Sequence, residues 1–300
     1  MGKTVSVTAI FEAGSLNYGE GFGNISELKK FNRADGNTYS FASRQSLRYD
    51  VVRLGNELFD WNLDTVSKTK GTIQFKDEVT IENSVEMDLF GYLKTGKKSL
   101  KRAAVARLSH ALALEPYAGD MELLTNMGLA ERNAEHPNLA NIENHISYYT
   151  YTMTIDLDKV GIDANNEITL LNDERFKRVA QLLDILKLLS RNIRGRQENL
   201  TPLFAIGGVY PLANPFFQGR IQMNGKELAL APLAQTAQLT FGGEAVQNFT
   251  TVGLTEGTFT NEEAIHEQFD GKVQNIEQFF QRLSHEVATY YGVANEATKA

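Results

Sequence analysis

The residues best placed for chemistry in this sequence are cations and amides near a helix start. Ser43-Arg44-Gln45 stands directly before an apolar stripe, and Arg48 follows Arg44 at a spacing of four. Amides at a helix N-terminus favour an anion, and an arginine grips a phosphate through two parallel hydrogen bonds. The same residues equally suit a capped helix with two solvated arginines. Asn17 and Asn24 lie in a glycine-rich stretch, residues 14–24, that lets a backbone come close to a ligand and otherwise makes a surface loop. Lys101 and Arg102 belong to a basic run whose ordinary role is a solvated face.

Other chemistries are poorly provided for. The five histidines (His110, His136, His145, His266, His285) show no metal-ligand spacing, and His266-Glu267 and His285-Glu286 lack the second histidine of a zinc helix. Asp156 and Asp158 share a strand face but suit a turn. There is no cysteine, which excludes disulfides and thiolate metal sites. No phosphate-binding loop of the nucleotide-hydrolase type is present. We expect no catalytic residue, no metal and no cofactor. Tyr149 and Tyr151 offer rings for base stacking, but they share a strand face with Met153 and Ile155 that suits the core, and no RNP-type aromatic signature accompanies them.

The charge is unevenly placed. The 300 residues carry a formal net charge of −7, which argues against a polyanionic partner. Yet residues 29–53 hold six cations (Lys29, Lys30, Arg33, Arg44, Arg48, Arg53) against Asp35 and Asp50. Residues 94–107 hold six more (Lys94, Lys97, Lys98, Lys101, Arg102, Arg107) and no acid. Lys187, Arg191, Arg194 and Arg196 form a third acid-free stretch, whereas beyond Phe241 nine acids face Lys272, Arg282 and Lys299. Such a chain can hold a polyanion on one face, or pack head to tail with its own copies. No apolar run resembles a signal peptide or a membrane span, so a cytoplasmic location without membrane is expected.

The elements that must position these groups are legible in outline. Alternation over Val5, Val7, Ala9 and Phe11 predicts a half-buried strand. Leu47, Val51, Leu54 and Leu58 predict a helix from about Ser43, with Arg44 and Arg48 on its flank. A strand is predicted over 146–157 and a helix over 173–191, capped by Asn172 or Asp173 and buried through Phe176, Val179, Leu183 and Leu186. A last helix is predicted over 275–291, with Ile276, Phe279, Phe280, Leu283 and Val287 inward and Gly292 ending it. Residues 61–144 read as a long insertion, loop-like over 119–144, and 192–220 as a second excursion. Mixed strands and helices with two excursions describe one α+β domain carrying appendages.

Read in order, Ser15-Leu16-Asn17-Tyr18-Gly19, Gly23-Asn24, Ser43-Arg44-Gln45-Ser46-Leu47-Arg48, Asp88-Leu89-Phe90-Gly91-Tyr92, Lys101-Arg102 and Arg107-Leu108-Ser109-His110-Ala111 resemble the CRISPR-associated autoregulator (DevR) family, the guide-binding backbone subunit of type I-B Cascade. Gly195-Arg196-Gln197-Glu198-Asn199 is similar to a Gly-Lys-Gln-Asn segment of related backbone proteins, with Arg in place of Lys and Glu198 inserted.

The resemblance implies an RNA-recognition-motif-like (ferredoxin-like) palm spanning the chain as a single domain, with a finger region at about 60–145 and a thumb at about 192–225. It implies a crRNA partner, target DNA met through that guide, neighbouring copies of the chain, and further Cascade subunits: a handle-capping subunit, a large subunit and a crRNA-processing endonuclease. Because guide sequences vary, such a site must hold phosphates and 2′-hydroxyls rather than bases. Asn17, Asn24, Ser43, Arg44, Gln45 and Arg48 are the first candidates, with Lys101 and Arg102 beside them. Arg194, Arg196, Gln197 and Asn199 are the thumb candidates. One cationic groove is expected to join Arg44, Arg48 and Arg196. Two competing functions remain open: a target-RNA-cleaving backbone of type III kind using Asp35 or Glu27, and a DNA-binding transcriptional autoregulator.

Overall fold

The computed structural model describes residues 2–69, 72–95 and 99–293. Lys97, Lys98 and Lys299 lie outside them. No helix among the described residues is long and apolar enough to cross a membrane.

A sheet of nine strands forms the centre: β1 (Thr4–Gly14), β2 (Lys30–Asn32), β3 (Thr38–Ala42), β4 (Ala106–Leu108), β5 (Ala111–Ala113), β6 (Ile146–Asp156), β7 (Phe204–Tyr210), β8 (Thr250–Leu254) and β9 (Val273–Asn275). Their spatial order is β9-β8-β7-β1-β6-β5-β3-β2, with β4 also paired to β6. Strand β1 is the hub, antiparallel to β6 from Thr4↔Asp156 to Gly14↔Ile146 and to β7 from Thr4↔Tyr210 to Ile10↔Phe204. Its β-branched content suits such a position.

The expectation of a half-buried β1 is corrected: Ser6 and Thr8 are as buried as Val5 and Val7. Helices cover one face, while a layer including Phe217, Ile221, Leu233 and Ile265 packs with Ile10 on the other. The Thr8 and Thr152 hydroxyls satisfy each other across the strands at 2.8 Å, as polar groups in a buried sheet must.

Helix α1 (Arg44–Phe59) begins where predicted, with the Ser43 side chain accepting from the Ser46 amide at 3.2 Å. Leu47, Val51 and Leu54 are buried, but Leu58 is exposed. The reason is Gly55: a Cβ there would lie 2.2 Å from Trp61, so the Trp61 ring occupies the inner side of the last turn and Leu58 falls outside it. Helix α3 (Asn172–Lys187), following the short α2 (Val85–Phe90), stops before Arg191. Its N-cap position is Leu171, without a side-chain cap; Asn172 lies inside the helix, where its side-chain Nδ2 donates to the Tyr291 carbonyl at 2.9 Å and its Oδ1 accepts from Arg175. Helix α4 (Ile276–Tyr291) follows its prediction closely, from an Asn275–Gln278 capping box to Gly292 at φ +68. Helices α1, α3 and α4 line one face of the sheet, over Val179, Leu183, Phe279 and Leu283.

Both excursions contribute to the sheet, which corrects their reading as pure appendages. Strands β4 and β5 come from within 61–144, and β7 comes from within 192–220. Residues 119–144 are not loop-like: Asp120–Thr125 pairs with Leu139–Asn144, with a short helix Met127–Arg132 between them. The order β1, α1, β5, β6, α3, β7 along the chain places β1 and β6 centrally, with β7 and β5 outside them.

One buried carboxylate ties the peripheral pieces to this core. Asp88, fully buried on α2, accepts from Arg178 of α3 at 2.9 Å, from the Gly161 amide at 2.9 Å and from Arg102. Arg178, itself 2% exposed, also donates to the Ile81 carbonyl at 2.7 Å. Removing one member strands a buried charge. Asp88→Ala is expected to lower unfolding free energy by about 3–5 kcal/mol, read from urea melts, and a loss under about 1 kcal/mol would refute the assignment.

Candidate nucleic-acid interface

The turn ahead of α1 is built by the glycine-rich loop. The Asn17 side-chain oxygen accepts from the Ser43 amide at 3.0 Å, and the Asn17 carbonyl accepts from the Lys29 amide at 2.8 Å. Asn17 therefore fixes the helix start, while Asn24 stays exposed on the far side of the loop, its carbonyl accepting from Asn141. The first-turn amides are largely used internally: Arg44 N–H donates to His110 Nδ1 at 3.1 Å, and Ser46 N–H to Ser43. That corrects the idea of an open amide cluster at this helix end and leaves phosphate binding to side chains.

The Arg44 amide can only donate, so His110 Nδ1 must accept and its proton sits on Nε2. Burial, reinforced by the Arg44 and Lys29 charges, holds His110 below the ordinary histidine range and keeps it neutral at physiological pH.

Arg44, Gln45 and Arg48 are exposed together. With Phe90, Ala104, Ala106 and Arg107 they line one cavity; Arg44 and Arg107 continue into a second with Ser109, His110, Thr152, Pro215 and Gln218. Ser109, His110, Thr152 and Gln218 then open into a third, bounded by Arg33, Asp35 and Tyr39. The shared walls make one trough, crossing from the flank of α1 over the sheet edge. Its cations are Arg48, Arg44, Arg107 and Arg33.

The later arginines fall elsewhere. Ser190–Ile193 and Arg196–Asn199 form a hairpin whose turn, Arg194-Gly195, has φ values of +47 and +76. Its root is clamped to α1: Arg53 donates to the Ser190 carbonyl at 2.7 Å, Arg191 to Ser46 Oγ at 2.8 Å, and Asp50 stands 3.6 Å from both guanidinium groups. Arg194 folds back over the Tyr18 ring at 4.3 Å and donates to Ser26 at 3.0 Å.

The single groove expected to join Arg44, Arg48 and Arg196 is thus corrected. Arg196 and Asn199 line a separate cavity of about 780 Å³, which also carries Glu12, Asp120 and Glu198 and so repels phosphate. Gln197 is exposed on the same hairpin.

Arg102 is corrected too. Its side chain is 8% exposed and committed to Asp88 and the Lys159 carbonyl, because the hairpin Tyr92–Thr95 with Ser99–Arg102 turns it inward. Lys101 is exposed but lines none of the three cavities. The cation this acid-free run does supply is Arg107, on β4. It was visible in the run, but only strand pairing shows which member faces the trough. Arg33 lies in the first basic run and His110 in the Arg107–Ala111 motif, yet neither stands out there as a contact; Gln218 has no local signal. Tyr149 and Tyr151 are buried, as their alternation implied. Among the described residues no group of three or more His, Asp or Glu side chains is placed to hold a metal.

A family model described as CRISPR-associated negative auto-regulator DevR/Csa2 matches residues 5–224. Two solved structures share the fold. A chain of a "CRISPR RNA-guided surveillance complex, pre-nicking" matches with a TM-score of 0.60 at 13% identity, covering 95% of this chain and 99% of that one. A chain of a "CRISPR RNA-guided surveillance complex" matches with a TM-score of 0.53 at 15% identity, covering 96% and 99%. No curated protein matches the sequence.

Asp50 supplies a test of the hairpin clamp. Burial pushes its carboxyl up to about 6, against the pull of Arg191 and Arg53. Between the ordinary aspartate value and about 6 the folded chain holds a proton that the unfolded chain has released, so this group lowers stability as pH rises through that window. Asp50→Asn is expected to remove that slope. Unfolding free energies from pH 4 to 7 should converge with wild type at the acid end, and parallel curves would show that Asp50 does not titrate there.

Proposed function

The chain belongs to the CRISPR-associated DevR/Csa2 family, and from that membership we propose that it is a guide-RNA-binding backbone subunit, several copies of which line up along one crRNA in a type I Cascade complex of the I-B kind. The observation that carries this reading is the trough: four arginines and one acid, Asp35, on the walls of adjoining cavities in a chain whose net charge is −7. Arg48, Arg44, Arg107 and Arg33 grip successive phosphates; Gln45, Ser109 and Gln218 offer hydrogen bonds to phosphate or 2′-hydroxyl. Sequence recognition is left to base pairing between guide and target DNA.

In this reading β1, α1, β5, β6, α3 and β7 form the ferredoxin-like palm, whose strand order the central sheet supports. The finger comprises the parts of about 60–145 outside β4 and β5. The thumb lies within about 192–225, outside β7. Met121, Leu123, Leu124, Met127, Leu129 and Leu139 are exposed apolar side chains on the two sides of the 120–144 unit, and in this reading a neighbouring copy or another Cascade subunit (handle-capping, large or crRNA-processing) covers part of them. The subunit works in the cytoplasm without catalysis of its own, meeting DNA through its guide.

Arg44→Ala with Arg48→Ala is expected to weaken binding of unrelated RNA sequences alike. It should also flatten the plot of log affinity against log salt by about one unit per lost phosphate contact. Arg196→Ala should leave both nearly unchanged. A steep, unaltered slope in the double variant would move the site elsewhere. Incubating the assembled complex with complementary RNA and magnesium tests the type III alternative: intact RNA is expected, and cuts at regular spacing would overturn the non-catalytic reading. Preference for one duplex promoter over others would favour the transcriptional regulator.

A further inference from the structure

One group of aromatic side chains beside the trough has no part in holding phosphate. Strand β2 pairs with β3 so that Phe31 lies opposite Tyr39, and Phe41, two residues on, shares the face of Tyr39. The Phe31 and Phe41 rings stack at 3.9 Å with 12° between their planes, and His110 meets Phe41 edge-on at 5.3 Å. Tyr39 and His110 line the trough, so the stack adjoins it, just outside the residues that bound its three cavities.

Phe31 ends the stack and is 42% exposed. A lone exposed apolar side chain is ordinary, but an aromatic on an edge strand invites unwanted association. What distinguishes Phe31 is company. The Arg33 guanidinium sits 4.9 Å over the ring of Tyr39, the cross-strand partner of Phe31, and the Arg44 backbone N–H donates to His110, whose ring is 6.0 Å from that of Phe31. A flat π-face with cationic residues nearby suits an unpaired base together with its own phosphates, and it accepts any base because every base has a π-face.

We propose that Phe31 is a stacking platform for single-stranded RNA: one base lies on its outer face, continuing the Phe31–Phe41 stack, while Arg33 and Arg44 hold the flanking phosphates. This rests on the RNA-binding reading above and adds to it a base contact that is blind to base identity.

RNA oligomers carrying 2-aminopurine at single positions test it, with Phe31→Ala, Phe31→Trp and, should the alanine variant fail to fold, Phe31→Leu. Wild type is expected to quench the probe at a subset of positions. Phe31→Ala or Phe31→Leu should lose that quenching and bind about tenfold more weakly. Phe31→Trp should keep both, and the salt slope should stay unchanged in every variant, because no phosphate contact is lost. Unaltered quenching and affinity in a folded Phe31→Ala or Phe31→Leu would overturn the stacking while leaving the phosphate trough in place. Lost self-association with unaltered RNA affinity would overturn it in favour of a protein contact. Absence of RNA binding by wild type would overturn both readings.

Discussion

The Asp88 carboxylate is the constraint on which the outer half of the molecule depends. It is fully buried and draws three donors from distant parts of the chain: Arg178 on α3, the Gly161 amide and Arg102 at the end of a hairpin. A buried ion cluster of this kind is weak evidence for net stability, since desolvation opposes much of its Coulomb attraction. Its effect is positional. With Asp88 held, the neighbouring Phe90 packs beneath Arg48 at 5.9 Å, and the chain leaves Arg102 in register for Ala104, Ala106 and Arg107 to form the wall opposite α1. One side of the trough is α1 itself; the other is delivered by this cluster.

A second cluster along α1 shows a looser version of the same device. Asp50, Arg53 and Arg191 clamp the 190–199 hairpin to the helix at 3.6 Å separations, without the close hydrogen bonds that Asp88 collects. Burial pushes the Asp50 carboxyl up to about 6, while Asp88 accepts from three donors. One cluster is saturated with hydrogen bonds, whereas the other holds its hairpin through a carboxyl that titrates.

Charge placement is what allows an acidic chain to present a site suited to a polyanion. Two surfaces of different character lie on one chain. The trough gathers arginines from α1, β4 and the β2–β3 turn, with Asp35 at one end, while the separate cavity gathers Glu12, Asp120 and Glu198 around Arg196. At physiological salt, charges separated by more than about 8 Å act almost independently. Local sign, not total charge, therefore decides where a phosphate settles.

What the sequence alone determined is everything carried by local periodicity and capping: β1, β6, α1 with its Ser43 cap, α4 with its box and its Gly292 stop, and the mixed class of the fold. These follow from short-range spacing, because a side chain three or four residues away lies on the same helix face whatever the rest of the chain does. The tertiary structure alone decided which cations matter. Arg102 and Arg107 are five residues apart in one acid-free run, yet the first is spent on a carboxylate fourteen residues back and the second lines the trough. Arg44 and Arg196 look like partners in sequence and open onto different cavities. Arg33, His110 and Gln218 meet only through strand pairing and the layer folded over the sheet. Pattern along the chain reports which face a residue takes on its own element; which elements face one another is set by long-range packing, and no window of sequence contains it.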